Sequence, residues 1–173
     1  MAKTTTAITL AAALADTGHA VLVIDLDAQA CATFSLGIDP EDLPPQTVDF
    51  LLDDLPASQG AARMRSAIRT TDEGFSLLPA TLSLASADVS LADRPARERT
   101  LSRVLDEIRD TFDVIVIDCS PSLGLTTINA LVAADDVLVP FKCETLSHRG
   151  LGQLMESIDE VKRWSNPDLR VAG

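Results

Sequence analysis

The 173-residue sequence has little of several residue types that define common protein classes. Aromatic residues make up 3% of it, and its two histidines, His19 and His148, lack the spacing of a metal site. The three cysteines form no C-x-x-C pair, which indicates reduced thiols that serve as packing residues: Cys31, Cys119 and Cys143. The N-terminus does not have the pattern of a signal peptide, and no apolar run approaches the ~20 residues of a membrane span. These absences argue against secreted, zinc-binding and membrane-spanning classes and favour a cytoplasmic protein.

Basic residues are also scarce, and their shortage limits what the chain can bind. There are 14 lysines and arginines against 26 aspartates and glutamates, so the formal net charge is −12. A field of this sign argues against strong nucleic-acid binding by the chain as a whole, and only a local basic patch could provide it. The apolar 46% is mainly aliphatic, which suits helices packed on a parallel sheet.

A short apolar run that ends in two carboxylates organises the chain. Val21–Ile24 are four consecutive apolar residues, a pattern typical of a strand that is covered on both faces. Asp25 and Asp27 follow, with Leu26 pointing to the other face. Open α/β sheets bind ligands at the carboxyl ends of their strands, so this pair is a candidate site. The alternative is that both aspartates only mark a strand end and its turn.

The order of the remaining patterns predicts an α/β fold, doubly wound around a mostly parallel sheet. A first helix should begin near Lys3 and stop at Gly18. Further helices are expected at Thr47–Leu52, Arg97–Asp110, Thr126–Ala134 and Leu151–Trp164, and strands at Val21–Asp27, Ala67–Thr71, Phe75–Leu78, Phe112–Asp118, Val137–Pro140 and from Leu169. No linker or repeat interrupts the series, which indicates a single domain over residues 1–173.

Lys3-Thr4-Thr5 matches the second half of a phosphate-binding loop. In such a loop the free N–H groups of a helix N-terminus face the phosphates, a lysine reaches them and a hydroxyl ligates Mg²⁺. The glycine-rich half is absent, and threonines near a helix start are also common as caps. Alone, the motif therefore favours ordinary capping.

Asp118 favours phosphate binding over ordinary capping, because it ends a second apolar strand, as the Mg²⁺-holding aspartate of phosphoryl-transfer proteins does. Lys3, Thr4 and the aspartates would meet at the carboxyl edge of one sheet. A cation, a hydroxyl and several carboxylates suit Mg²⁺-nucleotide better than glycoside hydrolysis or a Zn²⁺ site.

These segments resemble the ParA/Soj family of chromosome and plasmid partition ATPases, P-loop proteins related to MinD that have a deviant Walker motif. Phe112–Gly124, for example, resembles the family's F-D-x-I-I-I-D-C-P-P-S-L-G. The matching segments follow the family's order along nearly the whole chain: Lys3–Ala15, Val21–Gln29, Thr33, Leu36-Gly37, Leu77–Pro79, Leu84-Ala85, Phe112–Gly124, Asn129–Leu131, Ala133–Asp135, Val137–Pro140, Cys143-Glu144 and Gly150-Leu151.

The resemblance implies ATP and Mg²⁺ as cofactors and assigns the first turn of the first helix to them. Lys3 would contact the β- and γ-phosphates and act in catalysis. Thr4 would bind Mg²⁺, and Thr5 would hold the α-phosphate.

For the carboxylates, the resemblance implies that Asp27 orients the attacking water, Asp25 supports the Mg²⁺ shell and Asp118 is the Walker-B ligand. In this family ATP closes a sandwich homodimer that binds DNA non-specifically. A ParB-like centromere-binding protein then triggers hydrolysis. The implied location is the cytoplasm, on the bacterial nucleoid, without a membrane partner.

Several departures from the family pattern affect these expectations. Only the final K-T-T of the family's K-G-G-V-G-K-T-T is present, and the signature lysine, the glycines and the strand before them are absent. The last third of the family, with basic DNA-binding residues, is also absent after Gly173. Ala30 replaces a glycine, and Ser120 replaces a proline. The expectation is a partial domain, truncated at both ends.

Two other interpretations stay open. The chain could be a catalytically inactive remnant or regulatory fragment that pairs with a relative or partner. It could also belong to a MinD-like, membrane-cycling ATPase, which would need a C-terminal amphipathic helix. The run P-S-L-G-L-T-T-I-N-A-L at Pro121–Leu131 favours the partition branch.

Overall fold

The computed structural model of the protein describes residues 2–42, 56–140 and 147–173. The helices are α1 (Lys3–Asp16), α2 (Cys31–Ser35), α3 (Ala57–Ala67), α4 (Ala87–Ala92), α5 (Thr100–Asp106), α6 (Leu125–Ala133) and α7 (Ser147–Trp164). The strands are β1 (Val21–Leu26), β2 (Arg69–Thr70), β3 (Ser76–Leu78), β4 (Val114–Cys119), β5 (Asp136–Val137) and β6 (Arg170–Val171). Short 3₁₀ turns lie at Pro40–Asp42, Leu82–Ser86, Arg97–Arg99 and Arg109–Thr111. Within these ranges, no helix is both long and apolar enough for a bilayer crossing.

The main sheet is built around β1, whose six residues are all buried. It pairs in parallel with β3 on one edge and with β4 on the other. The short β2 runs antiparallel to β3, which gives the order β2-β3-β1-β4. The predicted α/β fold with a mostly parallel sheet is confirmed.

Helices cover both faces of this sheet. Leu22, Ile24 and Leu26 point into one core, which also contains residues of α3 and α5. Val21 and Val23 point to the opposite face and pack against α1. This alternation explains why the run Val21–Ile24 is apolar without interruption, since each of its faces meets a helix layer.

The strands β5 and β6 form a second, two-stranded parallel sheet. A third core fixes α6 against α7 and the approach to β6, and contains Leu131, Val132, Ile158, Val161 and Leu169. The chain thus passes from β4 through α6 to β5 without pairing those two strands.

Several predicted elements have the expected positions. The first helix begins at Lys3, and Gly18 follows it with φ +90°, as a left-handed stop requires. The β2–β3 hairpin surrounds the turn that contains Gly74, although Ala67 ends α3 and is not part of a strand. The α3 helix was not predicted, because Gly60 and its polar neighbours hide the helical period. The helix predicted over Thr47–Leu52 lies outside the described residues.

The single helix predicted over Arg97–Asp110 is wrong at both ends. Only Thr100–Asp106 is α-helical, and 3₁₀ turns flank it. The cause at the start is the buried Asn129 side chain, whose Nδ2 donates to the carbonyl of Arg97 at 2.9 Å while its Oδ1 accepts from the N–H of Leu101 at 3.0 Å. An α-helix would join those two backbone groups directly. Asn129 therefore replaces the first helical hydrogen bond.

Candidate functional site

The site lies at the carboxyl edge of the main sheet, where β1 and β4 end side by side. Their register places Asp25 opposite Asp118. Asp27 follows directly after β1 and is half-buried. The structure thus brings Asp118 beside Asp25 and Asp27, from which it is far apart in the sequence, at the edge where parallel sheets bind ligands.

Asp25 is fully buried and its carboxylate is held from within the fold. Its Oδ2 accepts hydrogen bonds from the backbone N–H of Thr33 at 2.9 Å and from the Thr33 hydroxyl at 2.8 Å. Its Oδ1 accepts from the N–H of Asp27 at 3.2 Å. Burial raises the pKa of Asp25 to about 6, against the opposing effect of these donors. The role of Asp25 in a Mg²⁺ shell stays a prediction.

Thr33 links this carboxylate to the segment after β3. Its hydroxyl oxygen, besides donating to Asp25, accepts from the N–H of Ala80 at 3.0 Å. The side chain is fully buried, so all of these bonds are shielded from water. Thr33 matches a family position, but the sequence indicates no role for it. No local pattern shows that a hydroxyl eight residues after Asp25 folds back onto that carboxylate.

Asp118 has an oxygen that is free for a ligand. The residue is only 3% exposed, and its Oδ2 has no hydrogen-bond partner among the described residues. Burial raises the pKa of Asp118, while the side chain of Thr4 and the charge of Lys3 act in the opposite direction. These interactions place the start of α1 beside Asp118. A buried carboxylate oxygen without a hydrogen-bond donor can ligate a cation. Asp118 and the neighbouring Thr4 hydroxyl therefore fit Mg²⁺.

The N-terminus of α1 completes this edge. The residue before the helix is Ala2, whose side chain cannot cap, and no side-chain cap is formed at this described helix start. The N–H groups of the first turn, which includes Lys3, Thr4 and Thr5, therefore receive no side-chain cap. Thr5 is exposed in this turn. Such a terminus favours an anion, and phosphate oxygens fit it.

Asp27 begins a turn that leads into α2. Its Oδ1 accepts from the N–H of Gln29 at 2.9 Å. Ala30, at the position where the family has glycine, adopts a left-handed conformation with φ +49°. This turn keeps Asp27 at the mouth of the site, near Asp118, whose pKa it raises.

Of the three cysteines that were predicted to be packing residues, Cys31 does not have this role. Cys31 is exposed at the start of α2, whereas Ala32 and Thr33 in the same helix are buried. Cys119 does pack into a core, and burial raises the pKa of its thiol to about 12, so it is unreactive at neutral pH. Cys143 lies outside the described residues.

Within the described ranges, no three His, Cys, Asp or Glu side chains converge as a preformed metal cage. This is consistent with Mg²⁺, which proteins hold through one or two carboxylates while phosphates and waters supply the other ligands.

The loop between β4 and α6, which follows Asp118, is fixed by a residue that sequence reasoning missed. Asp88 on α4 caps α6, since its Oδ1 accepts from the N–H of Thr126 at 2.9 Å and from the Thr126 hydroxyl at 2.7 Å. Gly124 precedes the helix, and a Cβ there would lie 1.8 Å from Asp88 Oδ2. The cap therefore requires glycine at this position.

We expect Gly124→Ala to lower the free energy of unfolding by about 2 kcal/mol, because Asp88 must abandon charge-assisted bonds to Thr126. Urea denaturation measures this change. The control is Gly152→Ala on the exposed side of α7, where an added Cβ meets nothing within 4 Å. That variant should be unchanged or more stable by up to ~1 kcal/mol. Equal stability of Gly124→Ala and the wild type would contradict the cap.

Comparison with known proteins gives a consistent result over nearly the whole chain. A family model described as an AAA domain, AAA_31, matches residues 1–171. The sporulation initiation inhibitor protein Soj of Bacillus subtilis (strain 168) is 41% identical over 172 residues, covering 99% of this chain and 65% of Soj. The chromosome partitioning protein ParA of Myxococcus xanthus (strain DK1622) is 41% identical, covering 99% of this chain and 58% of ParA. The chain thus spans less than two thirds of the length of these curated relatives.

A solved structure described as cobyrinic acid a,c-diamide synthase from Mycobacterium smegmatis, with bound ATP analog and magnesium, has a TM-score of 0.88 and 48% identity. The match covers 99% of this chain and 68% of that one. Both the predicted resemblance to ParA and Soj and the predicted fold class are confirmed by these comparisons. The roles assigned to individual residues stay predictions.

Proposed function

Because the chain belongs to the AAA_31 family of AAA domains, we propose that it is a ParA-like ATPase domain that holds Mg²⁺ and ATP at the carboxyl edge of β1 and β4. One observation carries the proposal. The buried Asp118 has an unpartnered oxygen beside Thr4 and Lys3, at an uncapped helix start. The magnesium and ATP analog in the 48% identical structure support the same ligands.

Each residue has a distinct part in this proposal. Lys3 contacts the β- and γ-phosphates, and the N–H groups of the first turn, with Thr5, receive the phosphate oxygens. Thr4 and Asp118 hold the metal, and Asp25 supports its water shell. When bound, Mg²⁺ neutralises the charge that develops on the phosphates.

Asp27 has the catalytic part. It lies at the mouth of the site, and its carboxylate is half-buried, so water can reach it. We assign it the orientation of the attacking water for in-line displacement, a step that depends mainly on positioning and electrostatics.

The names of the relatives suggest the cellular process in which the ATPase domain acts. ParA of Myxococcus xanthus is a chromosome partitioning protein, and we propose the same process for this protein: DNA segregation through an ATP-dependent homodimer and a ParB-like partner. With a net charge of −12, these residues would bind DNA only through a local basic patch or through other parts of the assembly. Location on the nucleoid belongs to the same proposal.

The name of the 48% identical structure gives a second candidate, ATP-dependent amidation of carboxylates. Both candidates use the same Mg²⁺ and phosphate groups, so the edge of β1 and β4 does not separate them. Measuring ATP turnover with added cobyrinic acid, or with DNA, separates them. Stimulation by cobyrinic acid alone would replace partition by amidation.

We expect Asp27→Ala to lower the rate of Mg²⁺-dependent ATP hydrolysis by about a hundredfold or more, because the water loses its orienting carboxylate. The dissociation constant of a non-hydrolysable ATP analog should change little. Phosphate release and calorimetry measure the two effects on the full chain. Asp16→Ala, at the exposed end of α1, is the control.

An unchanged hydrolysis rate in Asp27→Ala would remove Asp27 from the catalytic role. Nucleotide binding by the wild type without any turnover would support the inactive, regulatory alternative. Absence of binding would overturn the proposed function itself.

A further inference from the structure

The hydroxyl of Thr33 is a junction between two hydrogen bonds that the proposed roles of the site residues do not include. The side chain is fully buried, and its hydroxyl donates to Asp25 Oδ2 at 2.8 Å while it accepts from the N–H of Ala80 at 3.0 Å. A hydroxyl can donate and accept at the same time, whereas valine, which has the same shape, can do neither. Thr33 therefore joins the end of β1 to the segment after β3.

One side of this junction is fixed by the main sheet. β3 pairs in parallel with β1, and Leu78 is the partner of Ile24 in their register. Ala80 follows two residues after Leu78 and is fully buried, so its N–H lies close to the end of β1. The hydroxyl of Thr33 thus receives a hydrogen bond from a neighbouring strand's end, which does not depend on the turn after β1.

The other side of the junction reaches Asp27 through Asp25. The backbone N–H and the hydroxyl of Thr33 both donate to Asp25 Oδ2, at 2.9 Å and 2.8 Å. The second oxygen, Oδ1, accepts from the N–H of Asp27 at 3.2 Å. Because a carboxylate is planar, fixing one of its oxygens also fixes the direction of the other. The backbone of Asp27 is therefore tied through one carboxylate to Thr33.

We propose that Thr33 is a positioning residue for ATP hydrolysis, which holds Asp25 so that Asp27 stays in place to orient the attacking water. The inference rests on the proposed function, since it takes Asp27 as the residue that orients this water. A misplacement of about 1 Å can lower a rate by about a hundredfold. Loss of the hydroxyl would leave one of the two Thr33 donors to Asp25, the backbone N–H, so a smaller effect of about tenfold is expected.

The test compares Thr33→Val, which keeps the side-chain volume and removes the hydroxyl, with Thr33→Ser, which keeps the hydroxyl and removes a methyl group. Rates of Mg²⁺-dependent ATP hydrolysis are divided by the number of sites that bind a non-hydrolysable ATP analog. In Thr33→Val, kcat should fall by about tenfold at unchanged KM, because the positioning interaction acts in the transition state. In Thr33→Ser, kcat should stay within about twofold of the wild type, although both variants lose stability.

Thr71→Val is the matched control. Thr71 is also buried, and its hydroxyl donates to the carbonyl of Phe75 at 2.8 Å, in the turn that precedes β3 at the opposite edge of the sheet. This variant loses a buried hydroxyl as Thr33→Val does, but its kcat and KM should equal those of the wild type. If Thr33→Val does not fold, Thr33→Ala replaces it, because Thr33→Ala and Thr33→Ser differ only by the hydroxyl.

Amide hydrogen exchange without nucleotide separates a positioning role from a merely structural one. In Thr33→Val, the Ala80 amide should exchange faster, because it loses its acceptor. The Asp27 amide should also exchange faster, by about tenfold or more, because its acceptor Asp25 is no longer held by the hydroxyl. Neither amide should change in Thr71→Val.

Three results would overturn the positioning role of Thr33 and leave the proposed function in place. They are an unchanged kcat in Thr33→Val, an equal fall of kcat in Thr33→Ser, and faster exchange at Ala80 without faster exchange at Asp27. A wild type that binds ATP without hydrolysing it would instead overturn the catalytic part of the proposed function, and the positioning role with it.

Discussion

Asp118→Asn is expected to weaken Mg²⁺-ATP binding by about a hundredfold while leaving the nucleotide-free chain at least as stable as the wild type. The affinity falls because an amide oxygen is a poorer Mg²⁺ ligand than a carboxylate. Even the mutation of residues that only hydrogen-bond to metal ligands lowers metal affinity by about 10- to 100-fold. The stability should not fall, because the carboxylate is buried with an oxygen that has no partner among the described residues. Calorimetry with Mg²⁺-ATP and urea denaturation measure the two quantities.

Asp113→Asn is the matched control on the other end of the same strand. Asp113 is exposed, and its Oδ2 accepts from the N–H of Ala20 at 2.8 Å. Its replacement should leave Mg²⁺-ATP affinity unchanged and lower stability slightly, by ~1 kcal/mol or less. If Asp118→Asn instead lost stability and kept its affinity, Asp118 would be a structural residue and not a metal ligand.

The second large effect is the pH dependence that Asp25 gives to folding. In the folded chain its pKa is raised from 3.8 to about 6, so between these values the folded state binds more protons than the unfolded state. The contribution of Asp25 to stability therefore falls as pH rises through this window. The loss amounts to about 3 kcal/mol, at about 1.4 kcal/mol per pH unit.

Comparison with Asp25→Asn isolates this contribution. The difference in unfolding free energy, wild type minus variant, should fall by about 3 kcal/mol between pH 4 and pH 7 and be constant outside the window, to order of magnitude. Thr33→Val removes the hydroxyl that donates to Asp25 and should extend the fall to higher pH. A difference that does not depend on pH would show that the carboxylate is not buried as described.

The parts of the fold that a local pattern determines could be predicted from the sequence. The continuous apolar runs gave the positions of β1 and β4, and the helical period with Gly18 gave α1. The predicted ends of β1 and β4 and the predicted start of α1 place Lys3, Thr4 and Asp118 at one edge of the sheet, because parallel strands share a carboxyl edge.

The polar residues that join distant parts of the fold could not be predicted. Thr33 bonds to Asp25 across eight residues, Asn129 to Leu101 across 28 and Asp88 to Thr126 across 38. Each is a small polar residue whose partner is set by tertiary packing, and no local spacing marks it. The split into two sheets was missed for a similar reason, since strand periodicity does not state which strand is the neighbour.

The most direct test of the central claim replaces Mg²⁺ by paramagnetic Mn²⁺ and records which backbone amide signals of the ¹⁵N-labelled chain broaden when Mn²⁺-ATP is added below stoichiometry. We expect broadening centred on Thr4, Asp27 and Asp118, and its loss in Asp118→Asn. Broadening centred on Asp135 and Asp168, which line the polar cleft beside the C-terminal end of α6, would contradict a metal site at Asp118.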